Sequence, residues 1–355
     1  MIRFALVGCG NITQKHATLI GGGKVPGAEL AAVCDLNIEA AKKFGEEHGV
    51  PWFGDMHEMM GAVKNDVDVI SLLTPAGVHA ANCLELTQYG KAILVEKPMA
   101  LTLRDADLMI EACDKAGVAL FVVKQNRLNR PVVKVRESLE RGRFGQLVLG
   151  TVRVRWRRDQ EYYDAASWRG TWAQDGGVFA NQAIHHVDLL IWMMGDVESV
   201  YAKASTALVD IEAEDTGVVV VKFCNGALGI IEATTATRPD DLEGSVSILG
   251  SGGSVEIGGF AMNDLRTYKF VEPEEGDAGV FEEHGKNPRD EFAYAHQEYL
   301  RNIVRSLEGG RAALVDGLEG RKSLEVVSAI YESIETGKEV LVRFIPQRCR
   351  LGLSS

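Results

Sequence analysis

Ile2-Arg3-Phe4-Ala5-Leu6-Val7-Gly8-Cys9-Gly10-Asn11-Ile12-Thr13 opens the chain, and its reading decides the fold. Ile2 to Val7 is a short apolar run, the pattern of a buried strand. A Gly-x-Gly turn comes next and leads into a helical stretch through about Ile20. Gly8 makes the tight turn, and Gly10 lets backbone amides approach a pyrophosphate at a helix N-terminus, with Asn11 and Ile12 supplying the first helical amides. Thr13 stands where a third glycine or an alanine is usual. Alone, such a turn equally suits an ordinary strand-to-helix connection. The second strand strengthens the dinucleotide reading. It covers residues 29–34 and ends in Asp35, where a ribose-binding carboxylate belongs. A carboxylate there accepts from both ribose hydroxyls and repels a 2′-phosphate, which points to NAD rather than NADP. Asp35 also suits the cap of a helix beginning at Ile38.

Strand and helix then alternate. Residues 67–73, 92–96 and 119–123 read as strands, and residues 77–88 and 101–116 as helices. Near-continuous apolar strands between helices mean a doubly wound parallel sheet. Ligands of such sheets sit beyond the carboxyl ends of the strands. Thr74 and Pro75, with His79 just beyond them, are therefore cofactor candidates, and so is Glu96-Lys97-Pro98. A lysine directly after a buried strand is not placed like a solvated one. Lys97 can donate to a substrate hydroxyl and stabilise the oxyanion that forms as hydride leaves. The alternative is a salt bridge with Glu96 or another carboxylate.

The chain has 355 residues, which favours two domains, and 46% of them are hydrophobic, enough for sizeable cores. A net charge of −12 with no long basic run argues against nucleic acid or an anionic membrane as the main partner. The six cysteines are widely spaced and form no Cys-x-x-Cys pair. That fits free thiols in the cytoplasm, and neither a disulfide framework nor a structural zinc site; no metal is expected. The first residues are a strand with a glycine after it, not a signal peptide, and no apolar run is long enough to span a bilayer.

The polar segment from Lys124 to Pro131 ends the parallel sheet. We place an NAD-binding Rossmann domain at 1–125, a substrate-binding and oligomerisation domain at 126–345 and a tail at 346–355. Strands are expected at 146–157, 197–206, 216–223, 227–234, 245–249, 254–257 and 265–270. Asn225-Gly226 and Gly250-Ser251-Gly252-Gly253 make hairpin turns. This is a large open, mostly antiparallel sheet with few helices, so one face needs a partner, most simply a second subunit. Residues 272–285 read as a flexible loop or lid, and 290–307 and 317–336 as helices.

Two stretches of this domain carry candidate chemistry. Residues 176–195 read as a helix between glycines. On it Asn181, His185, Asp188 and Trp192 recur at steps of four, three and four, which puts them on one face. They are either satisfied core residues or the lining of a site. His186 points away and reads as structural, and for Asp188 the structural role is favoured. Residues 157–172 interleave arginines with aromatics, a pattern that suits a planar base, a phosphate or a carboxylate. A surface loop packed by its own aromatics is the plainer alternative.

The dinucleotide turn, Glu96-Lys97-Pro98, the 176–195 stretch and Asp316-Gly-Leu-Glu-Gly-Arg-Lys-Ser-Leu-Glu325 together resemble the Gfo/Idh/MocA oxidoreductase family, essentially to Arg343. The resemblance implies a Rossmann domain, a sheet domain that dimerises or tetramerises, Lys97 as the site lysine and His185 as the catalytic histidine. The family's usual aspartate is Asn181 here, and a neutral amide carries no proton. Gln125-Asn-Arg-Leu-Asn129, Gln160-Glu-Tyr-Tyr163, Trp168-Arg-Gly-Thr-Trp172 and Asn181-Gln-Ala183 are similar to a subgroup, the UDP-N-acetyl-2-amino-2-deoxyglucuronate dehydrogenases. That similarity implies NAD-dependent oxidation of a sugar C3 hydroxyl for bacterial surface polysaccharide. His185 would be the base and Lys97 the oxyanion donor, with Arg127, Gln160, Tyr163, Arg169 and Asn181 toward the nucleotide-sugar uronate. Trp168 and Arg169 are open to cofactor or substrate. Some relatives also imply cofactor recycling by 2-oxoglutarate. The rival readings are a dehydrogenase of another sugar or polyol, such as inositol, and an NAD-binding redox sensor.

Overall fold

The computed structural model describes residues 1–288, 293–310, 315–342 and 351–352. Two compact units emerge. The first comprises 1–100, 104–124 and 295–321; the second comprises 101–103, 125–294 and 322–355.

In the first unit β1 (Ile2–Val7), β2 (Ala28–Cys34), β3 (Trp52–Phe53), β4 (Val69–Leu72), β5 (Ala92–Val95) and β6 (Leu120–Val122) form one sheet in the order β3-β2-β1-β4-β5-β6. Every pairing is parallel. β4, β5 and β6 are buried at every position, as strands covered on both faces must be. The strand order reverses between β1 and β4, which places a ligand crevice at the carboxyl ends of those two strands. β3 is too short to announce itself in the sequence. The helix after it, Met56–Val63, is fixed by Asp55, whose side chain accepts from the amides of His57 and Glu58.

The helix Tyr294–Leu307 differs from the sequence-based boundary. From Ala295 onward it groups with the first unit rather than the second. Long-range polar contacts explain this. Tyr299 Oη donates to the Val122 carbonyl at 2.5 Å, and Gln297 donates to the Lys24 carbonyl at 2.6 Å. Arg321 reaches Asp107 at 2.6 Å.

In the second unit β7 (Leu147–Arg155), β8 (Val197–Ser205), β9 (Thr216–Phe223), β10 (Leu228–Thr234), β11 (Glu243–Gly250), β12 (Gly253–Gly258), β13 (Asp264–Phe270) and β14 (Val340–Leu341) run in the order β13-β12-β11-β7-β10-β9-β8-β14. Only β7 with β10 is parallel. The helix Ile184–Met194 packs on β7 and β11. At Gly150 the approach is so close that a Cβ would lie 2.7 Å from Met194. The opposite face is open, and Tyr201, Val218, Val220, Leu228 and Ile230 are exposed on it. In register, Tyr201 lies beside Val220 and Val220 beside Ile230, so the exposed apolar side chains form a row.

Residues 272–285 are more ordered than the sequence suggests. They hold a short 3-10 turn, Glu275–Asp277, and the helix Val280–Glu283. Arg143 pins them through Asp277 at 2.7 Å. Of the tail from Pro346, only Leu351 and Gly352 lie within the described residues. Leu351 is buried, and Gly352 N donates to the Trp172 carbonyl at 2.7 Å. Among the described residues no helix is long and apolar enough to cross a membrane.

Candidate active site

Gly8 and Gly10 do different things in the first unit. Gly8 has φ +99, and a Cβ there would lie 2.8 Å from the Leu73 carbonyl and 2.9 Å from the Thr74 amide. Glycine is needed so that the turn can press on the end of β4. Gly10 has open space where a Cβ would be. It precedes the helix Asn11–Ile20, which has no side-chain cap and no acidic residue in its first turn. Uncapped amides with no competing carboxylate are what a pyrophosphate requires. Thr13 is not a vestige of the missing glycine. Its hydroxyl donates to the Gly8 carbonyl at 2.6 Å and closes the turn from inside.

Asp35 stands at the end of β2, half-buried. It accepts from Cys9 N at 2.6 Å and from Asn37 N at 2.7 Å. The helix cap is Asn37, which accepts from Ala40 N. Asp35 is thereby tied to the glycine turn. Burial and the Asp35 charge push the Cys9 thiol up to about 12, so this thiol stays neutral beside the turn.

Glu96-Lys97-Pro98 comes directly after β5, with a cis Lys97–Pro98 peptide. Glu96 Oε1 meets His16 Nε2 at 3.1 Å, and Glu96 Oε2 accepts from Lys97 N at 3.1 Å. Burial raises the Glu96 carboxyl, but the His16 hydrogen bond and the charges of His16, His296 and Lys97 outweigh it and bring it to about 2. The residue is an anion 6% exposed.

His79 is placed differently from its sequence reading as a cofactor contact. It is 1% exposed, with Nδ1 3.0 Å from the Pro98 carbonyl and Nε2 2.8 Å from the Thr74 carbonyl. Burial lowers the pKa of His79, so the ring is neutral and its single N–H donates to one of these two carbonyls. Thr74 and Pro75 remain half-buried at the crevice end of β4.

In the second unit the 176–195 stretch is helical only over Ile184–Met194, with Ala183 at its N-cap. Asn181 lies in the turns before it, so the four-residue spacing does not put Asn181 and His185 on one helical face. The Asn181 amide instead donates to the Asp175 carboxylate. An acid that the sequence lacks at 181 is supplied from six residues upstream, and its other oxygen accepts from Gly170 N at 2.8 Å.

His185 is 9% exposed, in the first turn of the helix. Gln125 Nε2 lies 3.1 Å from His185 Nε2. That contact holds the imidazole ring in its orientation. Gln125 is a site residue that sequence reasoning missed. It stood in a quoted motif, but nothing local relates position 125 to position 185. His186 is fully buried, and burial drops its pKa to about 3, so it is a neutral core ring.

Three residues read from sequence as substrate contacts are engaged inside the second unit. Arg127 is 1% exposed and pairs with Asp188 through two bonds of 2.8 Å, with its guanidinium 4.9 Å from the Trp192 ring centre. This settles Asp188 as a core partner. Tyr163 is buried with its hydroxyl 3.2 Å from Thr235 Oγ1, and burial pushes it up to about 12. Gln160 exchanges hydrogen bonds with the Asp210 backbone at 2.7 and 3.2 Å. Arg169 is half-buried. It donates to the Tyr162 carbonyl at 2.5 Å and stacks over Tyr162 and Trp168.

Known proteins share this architecture. Residues 2–124 match the Gfo/Idh/MocA family model for the oxidoreductase NAD-binding Rossmann fold, and residues 136–342 match that family's C-terminal alpha/beta domain. A crystal structure of the WlbA dehydrogenase from Bordetella pertussis in complex with NADH and UDP-GlcNAcA is 43% identical. It covers 96% of this chain and 98% of that one, with a TM-score of 0.92. The WlbA dehydrogenase from Chromobacterium violaceum, in complex with the same two molecules, is 42% identical over 96% of each chain, with a TM-score of 0.90. Myo-inositol 2-dehydrogenase of Thermotoga maritima is 28% identical over 96% of this chain and 98% of its own length. The uncapped helix behind Gly10, Asp35 at the end of β2 and the two matched domains lead to one conclusion: the chain belongs to the Gfo/Idh/MocA oxidoreductase family and carries its NAD-binding Rossmann domain.

Proposed function

We propose that this protein is an NAD-dependent dehydrogenase that oxidises the C3 hydroxyl of UDP-N-acetylglucosaminuronic acid to the 3-keto sugar, for bacterial surface polysaccharide. The observation that carries the reading is the likeness, over nearly the whole chain, to a dehydrogenase solved with NADH and that sugar nucleotide. Gly8, Gly10, Asn11, Ile12 and Asp35 would hold NAD, with Thr74 and Pro75 at the crevice. When bound, NAD supplies the hydride acceptor. His185 takes the hydroxyl proton, and the Gln125 amide at its Nε2 orients the ring. Lys97 donates a hydrogen bond to the same oxygen and stabilises its developing charge. Asn181, oriented by Asp175, holds the sugar. Arg169, the least committed of the arginines named from sequence, is our choice for the anionic end. Trp168 beside it faces either sugar or cofactor.

The same reading places the enzyme in the cytoplasm as a homodimer or homotetramer joined through the open sheet, where the row of Tyr201, Val220 and Ile230 calls for cover. It includes 2-oxoglutarate as a second substrate that restores NAD on the protein. Mass spectrometry for retained cofactor, before and after 2-oxoglutarate is added, checks that step.

The decisive assay monitors NADH formation with UDP-N-acetylglucosaminuronic acid and with inositol. Turnover is expected with the first, and Lys97→Ala or His185→Ala should lower it about 10²-fold or more. A preference for inositol would replace the substrate. Tight NAD binding with no turnover across a sugar panel would favour a redox sensor.

A further inference from the structure

Two buried histidines of the first unit are left over once Lys97 and His185 have been given the chemistry. Both connect the dinucleotide turn to the segment that carries Lys97. His16 lies on the helix Asn11–Ile20, which begins at that turn. It is 1% exposed, and its Nε2 meets Glu96, whose second oxygen accepts from the Lys97 backbone amide. His79 reaches the same segment from the other side. Its Nε2 faces the carbonyl of Thr74, and Thr74 N lies 2.9 Å from where a Gly8 Cβ would sit. Its Nδ1 faces the carbonyl of Pro98. The Glu96-Lys97-Pro98 segment thus meets, at one end, a ring on the helix that begins at the cofactor turn and, at the other, a ring that faces Thr74 beside that turn.

We infer that His16 and His79 are positioning residues that hold the Lys97 backbone in register with the dinucleotide turn, so that the ammonium is delivered at a fixed height over the cofactor crevice. The inference rests on the reading of Lys97 as the oxyanion donor. Neither ring has to touch substrate or NAD. His16 acts through the Glu96 carboxylate onto the Lys97 amide, and His79 acts on the Pro98 carbonyl, one peptide further on. Ring hydrogen bonds suit this task, because a side chain of two rotatable bonds loses little freedom when fixed. Misplacing a catalytic group by about 1 Å costs up to 10²-fold in rate.

The test measures kcat, sugar KM, NADH affinity by fluorescence titration and melting temperature for His16→Ala and His79→Ala, each alone and combined with Lys97→Ala. The single variants should fold, keep the sugar KM within about twofold and lose about tenfold in kcat. In the Lys97→Ala background that tenfold loss should vanish, because a residue that acts through Lys97 has nothing left to position. His16→Gln and His79→Gln, which keep one N–H donor, should recover part of the rate, and they take over the comparison where an alanine variant does not fold. A folded histidine variant with kcat within twofold of the parent overturns the inference. So does an undiminished loss in the Lys97→Ala background. Lys97→Ala alone tests the underlying reading separately, since near-normal turnover there removes the lysine's catalytic role whatever the histidine variants do.

Discussion

The dinucleotide half and the His185 half hold their charged groups in different ways. In the first unit, carboxylates bind main-chain amides: Asp35 takes Cys9 N and Asn37 N, and Glu96 takes Lys97 N. In the second unit, side chains bind one another, two of the three pairs across about 60 residues. Arg127 grips Asp188, Asn181 grips Asp175, and Gln125 meets His185. A carboxylate on a backbone amide depends on the local turn, and its loss is felt locally. A buried pair depends on both partners, and removing one strands the other in a low-dielectric core.

The largest consequence falls on Arg127. Arg127→Ala leaves the Asp188 carboxylate buried without its bidentate partner, and should cost about 3–5 kcal/mol of stability by urea or thermal unfolding. Replacing both, as Arg127→Met with Asp188→Leu, should cost less than the single change. A single variant within about 1 kcal/mol of the parent, on the scale used for buried pairs, would break the contrast between the two halves.

Asp35→Ala probes the backbone-bound half. It should weaken NAD binding about tenfold, roughly 1.4 kcal/mol, with little change in melting temperature. A large loss of stability with unchanged NAD affinity would make Asp35 a structural cap and remove it from the ribose site.

The smallest effect is expected at Glu214. This carboxyl is 6% exposed and accepts from Tyr331 Oη at 2.8 Å and Phe179 N at 3.1 Å. Burial, with the Asp175 charge adding to it, lifts its pKa from the ordinary 4.5 to about 7. Between those two values the folded state keeps a proton that the unfolded chain releases. Stability is therefore fully present below pH 4.5 and falls as pH rises through 7. Glu214→Gln keeps the acceptor and removes the titration. At about pH 8 it should melt a few degrees above the parent, on the order of what 1 kcal/mol does in a chain of this size. The two proteins should converge toward pH 4.5. Melting curves that stay parallel at all pH values would place the Glu214 proton elsewhere.

The same contrast governs what could be read in advance. The Gly8–Thr13 turn, Asp35 and the end of β5 could be named in advance because each directly follows an apolar strand, a signal carried by adjacent residues. The 176–195 stretch was not legible, because its spacing imitates a helix that starts only at Ile184. Gly176 and Gly177 sit against groups from elsewhere in the chain. A Cβ would lie 2.6 Å from Leu351 at one and 2.1 Å from Glu214 at the other. Arg127 and Tyr163 have side chains that suit an anionic sugar, and nothing near them in sequence reveals Asp188 or Thr235. His79 was found at the right end of the right strand, but its partners are main-chain atoms, which leave no mark on composition.

By itself the sequence determined the parallel sheet, the mostly antiparallel sheet and the dinucleotide turn, because these rest on apolar periodicity and on glycines whose geometry is local, and the resemblance of its motifs pointed to the family. Only the tertiary structure decided that the chain from Ala295 to Arg321 joins the first unit, that Asn181 answers to Asp175, that Gln125 holds His185 and that Arg127 belongs to the core. Each of those is a pairing that neighbouring residues do not announce, and all but Asn181 with Asp175 join positions 60 or more apart. Which polar groups end up within hydrogen-bond distance is fixed by packing, and a buried polar group takes whichever partner the packing brings.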